Sequence, residues 1–438
     1  MGSYFLLFFW RGRNANHQIE ATVATKPRTP TVPLTFLPRC DEVDAIPPSY
    51  PATATRALRL WIHHHGSKLA LGMLMDMSAQ RSTLGDALDP TRNSLNFLRL
   101  VLALAVLVSH AYSIGGWGSG AWFGGTALGT VAVCGFFGIS GYLVAGSAER
   151  NSSARYLWQR CLRILPGYWV ALVVTAVVFG YLGWKAQHLP GNYFHASPSP
   201  WSFIGNNFFL DYRQILIGSA TWNGSIWTLF YEFLCYLVVM VLARLKILQA
   251  RTEIFIAAAA VWLLQIVVTF WPHNERTFNP LHFWIPEYLI KFLAIFLVGS
   301  ALYTWRHHVV DSGWIALACG LAFFGNLYMG GSLPYLYFRV SDLGAPLLAY
   351  PLLWLGAHLP FHRVGARNDY SYGVYIYAFP VTTLLTYTGA SQMGYFAFSY
   401  AAIACTVPLA VASWWLVERP AQKLKRARWP RRSTTVTS

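Results

Sequence analysis

Two ionisable side chains interrupt the apolar stretch NSLNFLRLVLALAVLVSHAYSI, residues 93–114: Arg99 and His110. Eleven residues is close to three helical turns, so on a helix both project from one face about 16 Å apart along the axis, with Asn96 beside them. A charge inside a bilayer costs roughly 2.5–3.5 kcal/mol on insertion scales, which directs such groups to a bundle interior or a water-filled path. An imidazole held there can accept a proton from a hydroxyl near neutral pH. Glu232, in GSIWTLFYEFLCYL, is a second intramembrane group, a carboxylate suited to orienting such a base. Arg160 and Arg163, in ARYLWQRCLRILPGYW, stand three apart on one helix face, and paired guanidinium groups suit phosphate recognition. Each has a plainer use. Arg99 can snorkel to the nearer surface, His110 and Glu232 can serve an interhelical hydrogen bond, and the arginines can set topology or meet anionic headgroups. The glycines of GFFGISGYLVAG suit close helix packing. Of the six cysteines, Cys134, Cys161, Cys235, Cys319 and Cys405 fall in or at apolar spans without ligand spacing, and no metal site is expected. No Gly-rich nucleotide loop, zinc signature or nucleophile elbow occurs.

The elements that must position these groups follow from composition. The 438 residues are 55% hydrophobic and 11% charged, with a mean hydropathy of +0.39. Soluble domains carry about 25% charged residues, so the chain reads as an all-α membrane protein, a polytopic bundle in the lipid bilayer. Apolar run length and Pro, Gly and charge breaks give about ten transmembrane helices: 95–114, 127–146, 166–184, 224–243, 253–271, 286–305, 312–329, 340–359, 369–389 and 394–417. Pro166 is expected to open the third. The net charge of +16 comes from 33 Lys and Arg against 17 Asp and Glu. Placing the first helix start in the cytoplasm puts seventeen of the Lys and Arg from residue 93 onward on the inner side. Lys185, Arg213, Arg276 and Arg339 fall outside. That bias sets both termini in the cytoplasm and accounts for the charge without nucleic acid. Residues 1–90 are rich in proline and read as a disordered extension, preceding a transmembrane domain at 91–420 and a basic cytoplasmic tail at 421–438. The connection at about 185–223 reads as an interfacial lid over the bundle.

Taken in order, NFLRLVLALAVLVSH, GFFGISGYLVAG, RCLRILPGYW, GSIWTLFYEFLCYL, DYSYGVYIYAFPV and WWLVERPA resemble the acyltransferase-3 family of integral-membrane O-acyltransferases, over about residues 91–425. The resemblance implies a ten-span core in a bacterial inner membrane. It implies transfer of an acyl group, commonly acetyl, from acyl-CoA to a hydroxyl, mostly of surface polysaccharides or related glycoconjugates. It assigns the family's first-span Arg and His to Arg99 and His110, the Arg-x-x-Arg-Ile-x-Pro motif to Arg160, Arg163, Ile164 and Pro166, and the family's Trp and Glu to Trp227 and Glu232, with Thr228 in a Ser position. The catalytic expectation is then His110 as base or acyl relay with Glu232 as partner, and Arg99, Arg160, Arg163 and Trp227 as substrate-binding residues. Many members carry His where this chain has Ala378. The residues alone leave a rival from another class: a proton-coupled transporter or flippase using the same buried groups and catalysing no acyl transfer.

Overall fold

In the computed structural model, residues 82–118, 121–123, 126–270, 285–331 and 343–426 are described. They belong to one compact unit, Gln80–Ser438. Residues 1–81, most of the expected extension, and 427–438, most of the tail, lie outside the described residues.

The unit is built of helices. α1 is Leu95–Ile114, α2 Leu128–Arg150 and α3 the long Ser153–Ala186. α4 is the short Pro200–Asn206, followed by α5 Thr228–Arg244, α6 Arg251–Phe270, α7 Ile285–Thr304 and α8 Gly313–Gly331. A 3₁₀ turn, Ala345–Leu348, leads into α9 Ala349–His358; α10 is Ser371–Tyr387 and α11 runs Tyr395–Lys423. Two small hairpins, at 121–127 and 216–221, are the only sheet among the described residues. A helix coincides with each of the ten expected spans. Five of them, α1, α2, α3, α6 and α11, are long and apolar enough to cross a membrane by length and composition. α9, with 10 residues, and α5 and α10, with 17 each, fall short of the usual spanning length of about 20.

α3 corrects the expected opening at Pro166. The helix starts thirteen residues earlier at Ser153, where the Ser152 side chain accepts the Arg155 N–H as an N-cap, and Pro166 lies in its interior. The cap and the flanking arginines carry the helix through the proline, and its middle relaxes into a π-turn at Thr175–Phe179.

α2 is the centre of the bundle. It packs against α7, α1 and α5, and 67% of its apolar window is buried, against 17% for α6 at the periphery. Its glycines permit this. A Cβ on Gly141 would stand 2.0 Å from the Phe296 carbonyl oxygen, and one on Gly299 of α7 would stand 2.3 Å from the Gly138 carbonyl oxygen. The Ser300 hydroxyl closes the seam by donating to the Gly141 carbonyl at 3.1 Å. Phe137 of α2 stacks on Phe292 of α7 with centroids 4.3 Å apart. On the other side α10 packs against α1 and α11.

Because backbone faces backbone along this seam, Gly141→Val and Gly299→Val are expected to lower stability by at least the ~1–3 kcal/mol of core overpacking. Thermal unfolding in detergent would register the loss, while Gly320→Val, at a position with open space around it, should leave stability nearly unchanged.

Candidate active site

The site is organised by Asp369, in the connection just before α10. Its Oδ1 accepts the Ser371 backbone N–H at 3.2 Å and the Ser371 hydroxyl at 2.5 Å, which fixes the carboxylate at the helix opening. Its Oδ2 takes Arg163 Nη2 at 2.6 Å and lies 3.4 Å from Arg99 Nη1. Burial alone would raise the Asp369 pKa; Arg163, then Arg99 and the Ser371 hydrogen bond outweigh it and hold the carboxyl well below its ordinary value. The connection itself is pinned by Asn96, whose Nδ2 donates to the Gly365 carbonyl at 3.0 Å.

Arg160 is held differently. Its guanidinium lies 5.8 Å from the Tyr156 ring centre and 5.6 Å from that of Tyr236, and its buried Nε has no hydrogen-bond partner, as also for Arg99 Nε. No carboxylate pairs with Arg160 among the described residues. Lys425, just past α11, completes the cationic group. Burial, then Arg163, Arg160 and Arg99, depress its pKa to about 7. Glu418 of α11, 2% exposed, accepts the Ser413 hydroxyl at 3.0 Å and leaves Oε2 unpartnered.

Above this group a cavity of about 400 Å³, its open mouth included, is lined by Arg99, Phe136, Thr228, Glu232, Tyr372 and Tyr375, among others. Glu232 accepts Ser140 Oγ at 3.1 Å and the Tyr236 hydroxyl at 2.6 Å, so Tyr236 links the carboxylate to the Arg160 guanidinium over its ring. The Tyr375 hydroxyl donates to the Ser225 carbonyl at 2.9 Å and accepts the Thr228 hydroxyl, whose Oγ1 also stands 3.3 Å from that carbonyl. Ser225 Oγ stands 3.4 Å from His110 Nδ1, and the Phe379 ring meets the imidazole edge-on at 5.1 Å. Phe379 directly follows Ala378, the position where many family members have His. Trp227, at the N-terminus of α5, packs on Tyr231, Tyr288 and Phe292 instead of facing the arginines.

The expected residues thus form three linked groups. Arg99, Arg160 and Arg163 come together at one end, Glu232 sits in the cavity wall, and His110 lies beyond Thr228 and Tyr375. Among the described residues no hydrogen bond or ion pair joins His110 to Glu232; Ser225 is the polar neighbour of the imidazole. α5 enters from the His110 end, and Glu232 lies seven residues further along the chain than Ser225. Asp369, Ser225 and Lys425 were not anticipated, although an acid two residues before a Ser-led helix was a readable signal for Asp369. No group of three His, Cys, Asp or Glu stands together among the described residues.

The helical bundle thus sets buried arginines at one end of a cavity and an imidazole past the other. Residues 92–415 match the acyltransferase domain of the acyltransferase-3 family, and the chain belongs to that family. It is similar to an O-acetyl transferase of Shigella phage Sf6, 29% identical over 331 residues, which are 75% of this chain and 95% of that protein. It is likewise similar to nodulation protein 10 of Rhizobium leguminosarum bv. viciae, 29% identical over 378 residues, covering 78% of this chain and 96% of that one. No solved structure matches. The protein is therefore a membrane acyltransferase acting on groups other than aminoacyl groups.

Removing the central anion leaves two buried guanidinium groups facing each other. Asp369→Ala is expected to cost about 3–5 kcal/mol of stability, the usual result of deleting one partner of a buried ion pair. Since the folded carboxyl is depressed, its contribution is complete above the ordinary carboxylate range and fades only as pH falls through the depressed folded value. The gap between the unmutated protein and Asp369→Asn should accordingly hold from pH 8 to pH 5 in denaturation curves.

Proposed function

We propose that this protein takes an acetyl group from acetyl-CoA, bound from the cytoplasmic side, and delivers it to a hydroxyl of a cell-surface polysaccharide or related glycoconjugate. The observation that carries this reading is the cavity in which Arg99, tied through Asp369 to Arg163, faces the hydroxyls of Thr228 and Tyr375. Arg99, Arg160, Arg163 and Lys425 stand among the carboxylates Asp369, Glu232 and Glu418, and this group of guanidinium donors suits the phosphates of CoA. The acetyl specificity draws support from the Sf6 relative, whose name specifies O-acetyl transfer.

In this mechanism the phosphates lie among the arginines and the pantetheine arm extends up the cavity past Glu232, whose carboxylate accepts an amide N–H. The thioester then stands near Thr228 and Tyr375, whose hydroxyls polarise its carbonyl. His110 removes the proton of the acceptor hydroxyl as its oxygen attacks the acyl carbon; the C–O bond forms, the C–S bond breaks, and the proton passes to the departing thiolate, giving CoA-SH. Ser225 fixes the ring through Nδ1, leaving Nε2 toward the acceptor.

The same reading places residues 91–420 as the catalytic domain, crossing a bacterial inner membrane ten times, with both termini in the cytoplasm. It treats residues 1–72 as dispensable for transfer, so a chain starting at Met73 should insert and retain activity.

Membranes given labelled acetyl-CoA should carry the label into glycan. His110→Ala is expected to lower transfer about a hundred- to ten-thousand-fold, the range of a positioned general base, with acetyl-CoA binding retained. Arg160→Ala should do the converse, weakening binding of acetyl-CoA with little effect at saturation. Normal transfer by correctly inserted His110→Ala protein would remove the base from this scheme.

Lys425 makes donor binding sensitive to pH. A phosphate favours the charged amine, so binding near neutrality draws in a proton, and affinity for acetyl-CoA should be higher at pH 6, where Lys425 is already charged, than at pH 8. Calorimetry should show that Lys425→Met flattens this dependence.

A further inference from the structure

The connection between α3 and α5 does not stay at the end of the bundle. Arg163 and Lys185 bracket an uncharged stretch of α3, residues 164–184, about 31 Å long at helical rise and close to the thickness of bilayer hydrocarbon. The connection leaves α3 just past Lys185 and runs back along this stretch. The Tyr193 hydroxyl donates to the Ala176 carbonyl at 2.5 Å. Further down, the Tyr168 hydroxyl donates to the Asn207 carbonyl at 2.6 Å, Trp169 Nε1 to the Phe208 carbonyl at 3.0 Å, and the Trp169 ring stacks on that of Phe208. The chain then turns back, with Asn223 reaching Thr175 and the Ile376 carbonyl, and Trp222 lying against Gly183. Its lowest point is thus about one turn of α3 from Arg163 and some four turns from where it began.

α3 is shaped to receive it. A Cβ on Gly180 would stand 2.0 Å from the Tyr193 hydroxyl and one on Gly183 would stand 1.8 Å from the Trp222 ring. The π-turn at Thr175–Phe179 lies where Tyr193 takes the Ala176 carbonyl. The segment is also satisfied from within. Asn207, 0% exposed, and Gln214, 8% exposed, serve backbone groups: Asn207 Nδ2 donates to the Gln214 carbonyl at 2.8 Å, and Gln214 Nε2 donates to the carbonyls of Ser199 and Leu216 at 3.1 and 2.8 Å. Internal satisfaction of non-helical backbone is the condition for such a chain to exist at hydrocarbon depth. Its outward residues include large apolar ones, Phe209 at 80% and Trp201 at 57% exposed, together with the polar Asn192, His195 and Asn206, and α3 itself exposes Val173 and Val178.

We propose that residues 187–222 form a re-entrant membrane segment, seated on α3, whose outward face of Trp201, Phe208 and Phe209 contacts lipid acyl chains. Its turn carries Asp211 and Arg213, paired at 2.5 Å, to the headgroups on the Arg163 side. Arg213, with its side chain 71% exposed, snorkels there. The face is a lipid contact, and the lid reading of this connection gives way to a wall. Nothing in this assignment depends on the donor or the acceptor of the reaction.

Full-length protein with its native cysteines replaced by serine, bearing a spin label at Phe209→Cys, Val178→Cys or Lys185→Cys, is placed in phosphatidylcholine–phosphatidylglycerol vesicles. Collision with lipid-soluble oxygen and with a water-soluble nickel chelate is measured. The label at 209 is expected to match the one at 178, favouring oxygen, and to differ from the one at 185. A label at 209 that favours the nickel chelate as strongly as the one at 185 would overturn the proposal. A membrane-impermeant maleimide supplies the second reading. Arg213→Cys should react from the side on which Lys423→Cys reacts, and reaction only from the side of Lys185→Cys would overturn it equally.

Discussion

Two arginines from different helices share one buried carboxylate. Arg99 comes from α1 and Arg163 from α3, and Asp369 from the connection into α10 is the anion between them. Guanidinium groups at this depth need a counter-charge, and a single carboxylate meeting both fixes the separation of three elements distant in sequence. Compensation is incomplete by design of the neighbourhood: Arg160 rests on tyrosine rings, and Lys425 is added from the chain end. The result is a region stable without ligand yet still attractive to a polyanion. Everything above it, from the cavity to the imidazole, takes its position from helices that this ion group ties together.

The chemistry is divided along one axis. Cations gather at one end, a carboxylate held by Ser140 and Tyr236 lies midway, and hydroxyls from α5 and α10 separate the cavity from His110. Thr228, Tyr375 and Ser225 form a continuous polar path through otherwise apolar packing. The Thr228 proton has two acceptors within reach, the Tyr375 oxygen and the Ser225 carbonyl, so it can turn to a ligand while Tyr375 keeps that carbonyl satisfied.

Much of this was legible beforehand. The apolar spans located the helices, since burial in lipid demands length and composition that the sequence displays openly. The spacing of Arg99 and His110 gave a shared face correctly, because helix geometry alone sets it. What stayed hidden depended on contacts between elements. Whether Glu232 reaches His110 is decided by helix register, and Ser225, an unremarkable hydroxyl in a turn, gained its place only from the approach of α1. Asp369, first residue of the expected ninth span, was not singled out, because its role comes from two arginines of other elements. Pro166 misled through a sound local rule, overridden by the cap and helical context before it. The path of the connection after α3 was not legible, because glycine slots and a π-turn leave no hydropathy signature.

The glycine seam between α2 and α7 bears on motion. Where backbone touches backbone, neither helix can slide or tilt without collision, since no flexible side chain lies between to absorb displacement. The two helices therefore behave as a fixed frame during turnover. Movement is left to elements joined by polar and aromatic contacts: the turn bearing Lys425, the connection pinned by Asn96, and the α10 face beside the cavity. The α2–α7 pair is the stator against which they shift.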